Sequence, residues 1–316
     1  ATMMGTRRFR AAFAAAVLMV AAVPSLPGAR AQDGAQADFA AYLQLLAARA
    51  RAEGVREATI DRMTAGLTYN PRVVALDRSQ PGSSTNSTPP IAPYLRTHVD
   101  AARIAGGRAK YAEMAGYLGG MEQRYGVPAK VVMAIWGHET NYGRYVGDFD
   151  LARSLATLAY DGRRRELFAG EFIALLKMVD QGVPPARLKG SWAGAFGNPQ
   201  FLPSVFLRVA VDGDGDGDRD IWHDSADTVS SIANYFRDAG WRPGEPWGVR
   251  AGIPDGFDWA AVSTRLKPSS CGRVHARHSA WKTVAEWRKM GVSTMAPIAD
   301  RTLATLFQPD GPGTPA

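Results

Sequence analysis

Apolar residues recur three and four positions apart over most of the first 240 residues, the spacing of a helix with one buried face. Ala35 to Arg51 places Phe39, Tyr42, Leu43, Leu45 and Leu46 this way, and a short helix is expected from Ala58 to Gly66. Gln80 to Pro93 holds four prolines with Gly, Ser and Thr, so no helix is expected through it. Helical spacing returns from Arg96 to Gly126, through Ile104, Tyr111, Met114, Leu118, Met121 and Tyr125. Pro128 suits a first helical turn. Ala129 to Thr140 then reads as one helix, ended by Asn141-Tyr142-Gly143. Further helices are expected at Leu151–Ala159, Arg164–Gln181 and Ser225–Ala239. A Gly-rich aromatic loop, Gly190 to Pro203, and an acidic loop, Asp212 to Asp227, lie between them. Beyond Arg242 periodicity is weak and Gly, Pro and Trp are frequent; short strands and a late helix at Trp281–Met290 are expected there. Gln308 to Ala316 reads as disordered, and no repeat of useful length is found. The fold class expected is mainly α, of the α+β type.

Composition narrows the class. The chain has 316 residues, 46% of them apolar, enough to bury a sizeable core in one large domain or two or three small ones. Arg7, Arg8 and Arg10 precede an apolar run, Ala11 to Val23, too short to span a bilayer comfortably. Ala29-Arg30-Ala31 follows as a small-x-small cleavage site, so residues 1–31 read as a secretory signal peptide cut before Gln32, with no stable membrane anchor. Periplasmic residence is the expectation. Losing Arg7, Arg8, Arg10 and Arg30 lowers the formal charge of +7 by four, to +3. That excess suits an anionic wall and is too small to argue for nucleic acid. Cys271 is the single cysteine, so no intramolecular disulfide is possible.

The candidate chemistry sits at the end of the helix from Ala129. Val131 to Gly137 is almost wholly apolar, and Val132, Ile135, Trp136 and Glu139 share one face. A carboxylate at the wall of an apolar region loses water, which favours its protonated form. A protonated carboxyl is the group a glycosidic oxygen needs in order to leave. The ordinary alternative is a helix-end glutamate paired with a nearby arginine such as Arg144.

Around Glu139 the sequence resembles the lytic murein transglycosylases, most closely the lytic murein transglycosylase B family. Glu139-Thr140-Asn141-Tyr142-Gly143 matches its "E-T/S-x-(Y/W)-G" stretch, preceded here by Tyr125-Gly126-Val127-Pro128. Leu155-Ala156-Thr157-Leu158, the pair Arg163 and Arg164, and the "G-S-W-A-G-A-x-G-x-x-Q-F-x-P-S" loop from Gly190 to Ser204 follow in order. Ala233-Asn234-Tyr235 through Gly240-Trp241 closes the pattern. Together these cover about residues 125 to 247, with weaker similarity back to Phe39 that includes Asp77-Arg78-Ser79-Gln80-Pro81.

The resemblance implies a lysozyme-like catalytic core at 128–245, after an N-terminal helical region at 32–127 and before a mixed α/β C-terminal region at 246–316. It also implies a substrate, peptidoglycan glycan strands, and a reaction needing one acid. Glu139 protonates the oxygen between MurNAc and GlcNAc, then takes the proton of the MurNAc C6 hydroxyl as that oxygen attacks C1 and closes a 1,6-anhydro ring. By the same resemblance Ser191 and Gln200 contact the acetamido group and hydroxyls, Tyr235 sits by the acid, and Arg163 with Arg164 faces wall-peptide carboxylates or the lactyl group. Plainer roles stand beside these: a turn cap for Gln200, core for Tyr235, a solvated face for the arginines. A lysozyme-type hydrolase and a non-catalytic, calcium-stabilised wall-binding protein are the competing readings; a monomer is expected.

In the acidic loop Asp212, Asp214 and Asp216 fall at positions 1, 3 and 5 of an EF-hand frame, with Gly217 at position 6. Aspartates packed this closely repel unless a cation neutralises them. Position 12 is His223 instead of Glu. Related enzymes carry a similar loop whose late acid matches Asp227 here, and Asp218 completes the expected ligands. A structural calcium ion is implied, with no organic cofactor. The aromatic "N-F-x-x-I-x-x-Y-N" stretch usual near the family's C-terminus is not found, so the C-terminal region reads as either truncated or diverged.

Overall fold

The computed structural model describes residues 27–80, 90–264, 275–311 and 313–316, and side chains from residue 34. Cys271 and most of the expected leader lie outside them. In chain order the helices are α1 (Pro27–Ala52), α2 (Glu57–Thr64), α3 (Pro71–Arg78), α4 (Ile91–His98), α5 (Ala101–Glu113), α6 (Ala115–Tyr125) and α7 (Ala129–Thr140). Strand β1 (Phe149–Asp150) leads into α8 (Leu151–Asp161) and α9 (Arg165–Asp180); β2 (Lys189–Gly190), α10 (Pro203–Val209) and α11 (Ser225–Asp238) follow. The C-terminal region holds β3 (Ala251–Gly252), β4 (Lys282–Thr283), α12 (Val284–Lys289), β5 (Ser293–Thr294) and β6 (Leu303–Ala304). The protein is mainly helical with a few two-residue strands, as its periodicity predicts.

Three apolar clusters organise these elements. The first joins Phe39 and Leu43 of α1 to Leu155 of α8, Phe172 of α9 and Phe206 of α10. The second joins Leu118 of α6, Val132 and Trp136 of α7, and Val229 and Ile232 of α11. The third is small, built on Val262, Trp287, Val292 and Leu306. The first cluster draws on both sides of residue 128, because α1 and α2 bury their faces against α8 and α9. The expected division at 127/128 is therefore not a division of cores.

Several boundaries differ from expectation for local reasons. Arg96 to Gly126, where helical spacing was expected, is divided among three helices. Asp100 starts the second, its Oδ1 accepting from the Arg103 amide at 2.9 Å. Helix α4 begins at Ile91, inside the proline-rich stretch, with Pro93 in its first turn where no intrahelical donor is lost. Helix α3 was not expected; Asn70 caps it and Pro71 occupies its first position. The late helix shrinks to α12, whose capping box of Thr283 and Glu286 sets its start. The last residues are held to the third cluster's region: Gln308 is buried and donates to the Thr314 carbonyl at 2.6 Å, and the Ala251 amide donates to Ala316 at 3.1 Å.

Candidate active site

Helix α7 is built to carry one acid on an apolar rod. Val132 and Trp136 are sealed in the second cluster, and the next position on that face, Glu139, emerges at the surface. Glu139 is thus at the rim of the apolar region, further out than the helix face suggests. The surrounding protein still strips enough water to raise its carboxyl above the usual glutamate value, and the charge of His138 pulls it partly back. Among the described residues Glu139 has no hydrogen-bond or ion-pair partner. The ordinary pairing with Arg144 is not formed.

The turn after Glu139 is left-handed at three successive residues: Asn141 (φ 50°), Tyr142 (φ 59°) and Gly143 (φ 88°). Non-glycine residues hold such angles only where surrounding contacts enforce them. Thr140 supplies one contact, its Oγ1 donating to the Asn198 carbonyl at 2.9 Å and accepting from the Gly143 amide at 3.0 Å. Tyr142 supplies another. Its ring lies against Gly107 of α5 and Gly137 of α7, where a Cβ at either position would overlap the phenol.

Asn198 is the residue that sequence reasoning passed over. It occupies a variable position of the Gly190 to Ser204 pattern, and its only cue was a polar side chain amid buried neighbours. The side chain donates to the Trp222 carbonyl at 3.3 Å and to Thr228 Oγ1 at 3.1 Å, while its amide donates to the Ile221 carbonyl at 2.8 Å. One buried residue therefore ties the end of α7 to the acidic loop's exit and to α11.

The glycine-rich loop folds back on itself beside this knot. Strands β1 and β2 pair antiparallel, Phe149 with Gly190 and Asp150 with Lys189, and Phe196 bridges to Gly190 and Phe201. Ser191 Oγ accepts from the Ala195 amide at 3.0 Å. Gln200 (φ 52°) donates to the carbonyls of Gly197 at 2.9 Å and Val146 at 3.2 Å, which leaves its amide oxygen without a partner among the described residues. Tyr235 of α11 places its half-exposed ring 5.8 Å from that of Phe201. Glu139, Gln200 and Tyr235 are thereby linked through adjoining elements, with Ser191 on the same loop.

The arginine pair has a different partner from the one the resemblance implies. Arg163 and Arg164 converge on Asp77 of α3, Arg163 Nε at 2.5 Å and Arg164 Nη2 at 2.7 Å. Asp77 is buried, and chiefly the Arg163 hydrogen bond holds its carboxyl below the usual aspartate range. Among the described residues no contact joins this cluster to Glu139.

In the acidic loop the carboxylates of Asp212, Asp214 and Asp227 offer oxygens within 4.8 Å of one another. Asp227, buried at the start of α11, is pushed up to about 6, first by loss of water and then, against the hydrogen bonds of Gly213 and Asp220, by the charges of Asp224 and Asp214. An all-oxygen set under mutual repulsion fits a hard divalent cation. Asp216 and Asp218 are outside this group: Asp216 Oδ1 accepts from the Asp218 amide at 2.8 Å, and Asp218 pairs with Arg187 at 3.1 Å. The frame and the family resemblance together named five acids; three of them, Asp212, Asp214 and Asp227, converge.

Residues 38–316 match the family model described as the transglycosylase SLT domain. The chain belongs to this family. The membrane-bound lytic murein transglycosylase B of Escherichia coli K12 is 43% identical over 142 residues, which cover 43% of this chain and 39% of that protein. The alignment thus spans about two-fifths of that relative. SltB3 of Pseudomonas aeruginosa, solved with NAG-NAM-pentapeptide, is similar at a TM-score of 0.77 and 38% identity, covering 88% of this chain and 71% of its own. The Escherichia coli lytic transglycosylase Slt35, solved in complex with calcium, is similar at a TM-score of 0.67 and 26% identity, covering 87% and 82%. The lysozyme-like helical architecture expected from the sequence agrees with these family structures.

Proposed function

We propose that this family member is a lytic transglycosylase that cuts peptidoglycan glycan strands with Glu139 as sole acid and base. The observation that carries the reading is an unpartnered carboxyl, raised by desolvation, at the solvent-facing end of an apolar helix. The Glu139 proton passes to the oxygen between MurNAc and GlcNAc as the C1–O bond breaks. The C6 hydroxyl oxygen then bonds to C1, and its proton returns to the Glu139 carboxylate. An internal nucleophile has a high effective concentration, so neither water nor a second acid is required.

The free Gln200 oxygen and the exposed Tyr235 ring suit a sugar amide and a pyranose face; Ser191 shapes the loop that presents them. Asp212, Asp214 and Asp227 would hold a structural calcium ion, supplying rigidity and no step of the reaction; the calcium-bound relative supports this. Export to the periplasm is the compartment that suits this substrate, and no helix among the described residues is long and apolar enough to cross a membrane. Glu139→Gln tests the reading. Cleavage of sacculi is expected to fall at least about a hundredfold with the melting temperature kept; undiminished cleavage would overturn it.

A further inference from the structure

A cavity of about 110 Å³ lies in the C-terminal region, among residues to which the proposed cleavage gives no role. Trp259 and Val262 supply its apolar wall, Arg277 and His278 its polar wall, and Gln308 with Gly311 its tail side. No acidic side chain lines it among the described residues.

These walls are fixed before any ligand arrives. The Trp259 ring packs edge-on against Phe257 at 5.2 Å. The His278 ring stacks on Phe307 at 4.4 Å, and its Nδ1 meets Thr305 Oγ1 at 3.2 Å. The tail is tied at three points. The Gln308 side chain donates to the Thr314 carbonyl at 2.6 Å, and the Gly311 amide donates to the Gln308 carbonyl at 3.0 Å. Asp310, between them, accepts from the Ile91 amide of α4 at 2.6 Å. A site held this way loses little freedom when filled, so its contacts go into affinity.

Charge, polarity and size each narrow the occupant. The Arg277 guanidinium has no partner among the described residues. The sequence from 263 to 280 carries Arg265, Lys267, Arg273 and Arg277, and no Asp or Glu. A cationic surplus draws an anion, and the planar fork of a free guanidinium suits a carboxylate. Trp259 and Val262 require an apolar group on that anion, which excludes bare phosphate. A cavity of about 150 Å³ holds a benzene ring, so this smaller one takes an alkyl chain of about four carbons. Pockets for drug-sized ligands begin near ~300 Å³, so an oligosaccharide is too large.

We propose that this cavity binds a short-chain alkyl carboxylate, its carboxylate on Arg277 and its alkyl group against Trp259 and Val262. The proposal is independent of the chemistry at Glu139.

The test is an NMR titration of the full chain with butyrate, read on the Trp259 indole signal. Butyramide controls for charge, having the shape and no anion; inorganic phosphate controls for the alkyl group. Butyrate is expected to bind at least about tenfold tighter than either. Arg277→Gln is expected to raise the butyrate Kd about tenfold and leave that of butyramide unchanged. The melting temperature of this variant should be kept, because its guanidinium has no partner to lose. Acetylalanine carries the same group at the end of a peptide bond. Tighter binding of acetylalanine assigns the site to a chain terminus, and tighter binding of butyrate assigns it to a free acid. An unmoved Trp259 signal, equal binding of butyrate and butyramide, tighter binding of phosphate, or a butyrate Kd indifferent to Arg277→Gln would overturn the site.

Discussion

At the scale of single residues, two opposing influences set Glu139: loss of water raises its carboxyl, and His138 lowers it. The acid form is lost as pH rises through that value, so the alkaline limb of glycan cleavage is expected above the ordinary glutamate value of about 4.3. His138→Gln removes the positive neighbour and should move the limb higher still; a limb unmoved in pH-rate profiles would contradict this coupling. His138 is itself held by a 2.9 Å hydrogen bond to Tyr94, whose ring stacks on His98. Asp77 behaves with the opposite sign. Its depressed carboxyl contributes stability above the ordinary aspartate value, and that contribution fades as pH falls through the depressed one. Both arginines are partly exposed, so Asp77→Ala is expected to cost only about 1–3 kcal/mol in denaturant titrations. A cost near zero would mean that the cluster is not structural. Glu139 was singled out in the sequence by the apolar helix it ends together with the Glu139-Thr140-Asn141-Tyr142-Gly143 stretch that resembles the family pattern. Asn198 was not, because its importance lies in contacts with Thr140, Trp222 and Thr228, residues 24 to 58 positions away.

At the scale of elements, periodicity located α7, α8, α9 and α11 to within about two residues, since each buries one face against a core. It failed at two of the shorter helices, although the equally short α2 was expected. Helices α3 and α10, eight and seven residues long, are announced instead by proline at their first turns. The turn after α7 depends on α5 and α7 having no side chain where Tyr142 lands, at Gly107 and Gly137. Gly137→Ala should therefore force the tyrosine out, costing about 1–3 kcal/mol and disturbing the Glu139 turn. Wild-type stability in thermal or denaturant melts of this variant would show that the turn adapts. The buried knot of Thr140 and Asn198 should be equally sensitive. Thr140→Val strands the Asn198 carbonyl and the Gly143 amide, for an expected loss of about 1–3 kcal/mol.

At the scale of the whole molecule, the proposed reaction needs the α7 acid and the glycine-rich loop to stay in register, although their anchors lie in different apolar clusters. The acidic loop lies beside that junction, since Trp222 at its exit receives the Asn198 side chain. A cation shared by Asp212, Asp214 and Asp227 would bind only the folded state. Calcium at a hundredfold excess over its Kd should therefore add about 2.7 kcal/mol of stability. Asp227→Asn should remove the effect; a melting temperature indifferent to calcium and chelator would remove the site. The sequence showed five clustered aspartates, Asp212 to Asp220, but not which of them converge, because that depends on Asp227, seven residues beyond the run and fixed by α11.

The chemistry itself is tested most directly by mass spectrometry of the glycan ends released from sacculi. Release of 1,6-anhydroMurNAc ends by the wild-type chain, and none by Glu139→Gln, is expected when a single carboxyl drives ring closure. Reducing MurNAc ends that have gained the elements of water would contradict it.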